Sequence, residues 1–65
     1  MSSESREYIK KSGELLQTAE EYLHTAGERA KTGGDGALVK QIEKIKTDVS
    51  TVRESVQKKL GHENG

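Results

Sequence analysis

From Tyr8 to Asp35 the chain repeats one seven-residue phrase four times: YIKKSGE, LLQTAEE, YLHTAGE and RAKTGGD. Aligned, the first column holds Tyr8, Leu15, Tyr22 and Arg29, the second Ile9, Leu16, Leu23 and Ala30, and the fifth Ser12, Ala19, Ala26 and Gly33. An apolar period of seven belongs to a helix that lies along other helices for several turns. It predicts a first helix over about residues 5–31, roughly 40 Å long at 1.5 Å per residue, with the fourth period dissolving into a loop. On a helical wheel the fifth column falls between the first and the second. Small Ser12, Ala19 and Ala26 therefore lie in a trough flanked by Tyr8, Leu15 and Tyr22 and by Ile9, Leu16 and Leu23, where a neighbouring helix can come close. Gly13, Glu20 and Gly27 fall beside the second column. Each interior glycine costs about 1 kcal/mol relative to alanine, so close packing is favoured over weak constraint as the reason for them. Glu7, Glu14, Glu21 and Glu28 occupy the side opposite the trough as a solvated ridge.

The cluster KTGGDG at 31–36 breaks the pattern. Gly33 or Gly34 can take the left-handed conformation that closes a helix, and Asp35 can cap the next. A link this short, about 32–36, returns the chain antiparallel. In the second helix, about 36–60, Leu38, Ile42, Ile45, Val49, Val52 and Val56 alternate spacings of four and three, a narrow coiled-coil seam, with Leu60 one step past the next expected site. β-Branched residues fill most of that seam, so this helix needs packing to persist. Ser3 or Ser5 is the expected first cap, Gly61 the expected stop, and 61–65 a frayed tail. The fold class read from this pattern is all-α: one domain over 1–65, an antiparallel, coiled-coil-like two-helix hairpin completing a helical bundle by association.

Composition sharpens that last point. Only 29% of 65 residues are hydrophobic, with two tyrosines as the sole aromatics, while 34% are charged and there is no cysteine to supply a disulfide or thiolate metal staple. A chain this small and polar lacks material for a private core: it borrows one from a second copy or a different partner, or stays partly unfolded until it meets one. Eleven basic and eleven acidic residues cancel, which removes the electrostatic case for nucleic acid. Between Ser12 and Glu28 the charges are all acidic, Glu14, Glu20, Glu21 and Glu28, whereas Lys40, Lys44, Lys46, Arg53, Lys58 and Lys59 outnumber the acids of the second helix. Folded antiparallel, the two segments attract. A basic leader and any long apolar run are missing, so the expectation is a cytoplasmic protein with no membrane association, and Met1-Ser2-Ser3 favours a natural start over an excerpt of a longer coiled coil.

Candidate chemistry is sparse. Glu21 and His24 have the Glu-x-x-His spacing of di-iron bundles, but no inward acid on the second helix completes a set, and His24 falls on the polar side of the repeat. A solvated histidine is the favoured reading. The glycines before Asp35 lack the Gly-Lys-Ser/Thr ending of a phosphate loop, and Asp35 would repel an anion. No serine has a placed base and no carboxylate sits among apolar residues, so neither catalysis, a cofactor, a metal nor a small-molecule substrate is expected.

Two functional readings compete. The favoured one is a non-catalytic protein–protein interaction module that self-associates, most simply as a homodimer forming a four-helix bundle, because the first helix carries more apolar face than one narrow seam can cover. The alternative is a small adaptor or co-chaperone covering the apolar face of a helical client. In size, hairpin and glycine-rich turn the chain is similar to the small two-helix partners of secretion-needle subunits, which implies such a role. Either way the interface is drawn from Tyr8, Ile9, Leu15, Leu16, Ala19, Tyr22, Leu23 and Ala26 on the first helix and Leu38, Ile42, Ile45, Val49, Val52 and Val56 on the second. Leu16, Ala19, Leu23, Ile45, Val49 and Val52 are expected at the middle of the packed faces.

Overall fold

A computed structural model describes residues 2–64; Met1 and Gly65, the outermost residues of the expected lead and tail, lie outside the described residues. Two helices, α1 (Ser3–Thr32) and α2 (Gly36–Asn64), fold back on each other as an antiparallel hairpin whose Cα extents are 46 × 14 × 13 Å. The all-α hairpin class read from the pattern is the fold.

Each helix end has a local cause. Ser2, rather than Ser3 or Ser5, caps α1: its backbone is extended, and its hydroxyl accepts the Ser5 N–H at 3.1 Å, satisfying one of the free donors of the first turn. At the other end Gly34 takes φ 74°, which lets Gly34 N–H donate to the Lys31 carbonyl and Asp35 N–H to the Ala30 carbonyl, both at 3.0 Å. This is the paired closure that a left-handed glycine permits. Asp35 then opens α2, its carboxylate accepting the Leu38 N–H at 3.1 Å. One residue thus ends the closure of α1 and caps α2. Helix α2 does not stop at Gly61; it runs on to Asn64, because a single glycine lowers helix propensity without removing a backbone donor.

Register follows from two glycines. A Cβ on Gly13 would lie 3.0 Å from Val56 Cγ1, and one on Gly27 would lie 3.6 Å from Ile42 Cγ2. The packing reading holds at Gly13, where Val56 sits against bare backbone; at Gly27 a methyl would meet Ile42 at an ordinary contact distance, so that position is under weak constraint. Opposed residue numbers sum to 69 in both pairs, which sets Leu16 level with Arg53, Glu20 with Val49, Leu23 with Lys46 and Ala30 with Val39. The half-buried positions repeat at alternating three and four: Ile9, Gly13, Leu16, Glu20, Leu23 and Gly27 on α1, against Val39, Ile42, Lys46, Val49, Arg53, Val56 and Leu60 on α2. Among the described residues only Ala30, at the tight end next to the turn, is buried outright.

The seam of α2 is therefore not the one its apolar spacing suggested. Ile42, Val49 and Val56 do face α1, but Leu38, Ile45 and Val52 are 42%, 50% and 50% exposed, and Val39, Lys46 and Arg53 take the alternate positions. The rotation brings charged and polar residues of the two helices together. Arg53 reaches across to Glu20, Nε to Oε1 at 2.6 Å, with both side chains about four-fifths buried, and Lys46 Nζ donates to His24 Nδ1 at 3.3 Å. Level with Leu23 and Leu16, Lys46 and Arg53 bring long aliphatic stems to the contact line, with their charged heads on His24 and Glu20.

The Arg53 guanidinium holds the Glu20 carboxyl below its usual range, and Glu20 in turn raises Arg53. A depressed carboxylate contributes stability in full above its unfolded pKa, about 4.3, and loses it as pH falls through the lower folded value. Thermal unfolding followed by circular dichroism from pH 7 to pH 2 is expected to show an acid-induced fall that is smaller in Glu20→Gln. Identical pH profiles would show that the pair contributes nothing.

Candidate partner interface

Helices of an antiparallel hairpin are related by an approximate two-fold axis normal to the hairpin plane, so equivalent positions of the seven-residue repeat share a face. Ser12, Ala19 and Ala26 each precede a contact residue of α1, and Leu38, Ile45 and Val52 each precede a contact residue of α2. Both sets consequently look out of the same side. Beyond the small residues stand Tyr8, Leu15 and Tyr22, 66%, 71% and 73% exposed. That face is a shallow channel: a Tyr/Leu ridge, a floor of serine and alanine backed by Leu16 and Leu23, then a Leu/Ile/Val ridge. The opposite face carries Glu14, His24, Glu28, Glu43 and Ser50, and is polar throughout.

The structure brings the fourteen sequence-derived interface residues into two groups. Ile9, Leu16, Leu23, Ile42, Val49 and Val56 lie in the contact between the helices, half-buried. Tyr8, Leu15, Tyr22, Ala26, Leu38, Ile45 and Val52 are exposed on the apolar face, with Ala19 half-buried at its floor. Ile45 and Val52 were expected in the middle of the packed faces; within one chain they are outside the contact, with α2 turned about half a step so that Arg53 meets Glu20. The trough is real but α2 does not fill it. Val39, Lys46, Arg53 and Leu60 were missed as contact residues, although the position of Leu60 one step beyond the apolar seam was a signal of this second line.

Turned that way, the apolar stripe of α2 (Leu38, Ile42, Ile45, Val49, Val52, Val56) points between α1 and the open face, as does the stripe of α1 made by its second and fifth columns. A helix with one neighbour centres its stripe on that neighbour. Here each stripe lies between two directions, one towards the other helix and one towards the open face.

Other chemistry is thin among the described residues. No group of three His, Cys, Asp or Glu side chains there could hold a metal, and the Lys46 ammonium lies 3.3 Å from His24 Nδ1. No described helix is long and apolar enough to cross a membrane. No family model, curated protein or solved structure matches this chain.

Proposed function

We propose that this chain is a non-catalytic, cytoplasmic protein–protein interaction module that works by self-association, two hairpins stacking their apolar faces to complete a four-helix bundle. The observation that carries the reading is the displacement of the apolar stripes from the contact line: six large or medium hydrophobic side chains stay open on one face while lysine, arginine and glutamate occupy the seam. A hairpin evolved to stand alone would place Ile45 and Val52 where Lys46 and Arg53 now sit. Burying such a face is worth about 25 cal/mol per Å² of apolar surface, a stabilisation otherwise scarce where one alanine alone is buried among the described residues.

Sedimentation equilibrium and helicity across a concentration series test this. A dimer whose helicity falls on dilution is the expected result. A well-folded monomer up to high micromolar concentration would overturn self-association, and helicity gained only on adding a helical client would point to the adaptor role instead.

A further inference from the structure

Resting on that four-helix reading, we propose that the second copy lies antiparallel over the first with α1 against α1 and α2 against α2, the two-fold axis passing close to Ala19. Two closed arrangements are open to stacked hairpins. With the axis along the bundle, α1 packs on the α2 of the second copy, and the Tyr8, Leu15 and Tyr22 ridge meets Gln41, Asp48 and Ser55, which hold the equivalent column of α2. That leaves the most exposed apolar residues against a polar row. With the axis across the bundle, the column meets itself reversed.

Reversal makes the α1 face self-complementary. Tyr8 comes opposite Arg29, Leu15 opposite Tyr22, Ser12 opposite Ala26, and Ala19 opposite Ala19, all in one register because each pair of numbers sums to 37 or 38. The fourth member of the ridge column is thereby explained: Arg29 closes the line by laying its guanidinium over a tyrosine ring. Small floor meets small floor, so the two α1 backbones approach closely. Glu14, Glu21 and Glu28 point to the opposite face, and Glu20 is held by Arg53, so the acidic character of α1 does not oppose this contact. Between Tyr8 and Arg29 the face is about 30 Å long and two helices wide, roughly 600 Å² per copy, close to the ~800 Å² each partner buries in a standard interface.

The chain has no cysteine, so single-cysteine variants report the arrangement directly. A disulfide needs Cα atoms within about 7 Å, which facing positions of two helices reach most readily where small residues meet. Ala19→Cys, oxidised with copper phenanthroline at a concentration where sedimentation shows dimer, is expected to cross-link most chains, and Thr25→Cys on the outer surface is not. Failure of Ala19→Cys to cross-link in a wild-type-like dimer, or cross-linking between copies in Tyr22→Cys/Asp48→Cys instead, would overturn this arrangement and leave self-association standing. A monomeric wild type in the same sedimentation run would remove both.

Discussion

Ala19→Arg is expected to weaken association by at least two decades in dissociation constant, about 3 kcal/mol, while Glu14→Arg changes it by less than a few-fold. The two substitutions introduce the same side chain on the same helix, five residues apart. Ala19 floors the channel between the Tyr8, Leu15, Tyr22 ridge and the leucines of the contact, where an arginine fills the space a second helix would take. Near a two-fold axis the change is counted twice, and the two guanidinium groups repel. Glu14 stands on the polar face, where a long cation stays in water at little cost. Sedimentation equilibrium on both variants gives the comparison. Equal losses would mean that the apolar face is not where copies meet.

Gly13→Leu is expected to destabilise the hairpin itself by about 1–3 kcal/mol, the usual range for overpacking, against a chain of small total stability. Even a bare Cβ at Gly13 would sit 3.0 Å from Val56 Cγ1, so a leucine has no room unless the helices part. The informative control is Gly27→Ala. There the added methyl meets Ile42 Cγ2 at 3.6 Å, an ordinary contact, and alanine gains about 1 kcal/mol of helix propensity, so this variant should melt several degrees higher. Opposite signs at two glycines of one column test the register more sharply than either alone. If Gly13→Leu melts like the parent, the close approach of α2 at that point is wrong.

The repeat that begins at Tyr8 was enough to place α1, its trough and its solvated acids, and KTGGDG was enough to place the turn, because periodicity and turn chemistry are local properties of the chain. Gly34 as the left-handed closure and Asp35 as the next cap follow from what those residues alone can do. Gly13 was legible as a packing site for a similar reason: a residue unfavourable to its own helix signals a compensating neighbour, although the same signal at Gly27 marks a position with room for a methyl. The cap at Ser2 and the continuation of α2 through Gly61 were not, since helix ends turn on small differences among serines and on a modest glycine penalty.

Local patterning alone calls for two amphipathic helices that fold back on each other with more combined apolar surface than one mutual contact covers. Which line of α2 faces α1 was decided only in three dimensions. The Leu38-to-Val56 stripe and the Val39-to-Leu60 line share Ile42, Val49 and Val56, and hydrophobicity alone favours the first. Bringing the two helices together sets Arg53 beside Glu20 and Lys46 beside His24, long-range pairs that no local pattern encodes and that are made with the second line turned inward. The same rotation opens Leu38, Ile45 and Val52 beside Ser12, Ala19 and Ala26, and so creates the face on which the proposed function depends.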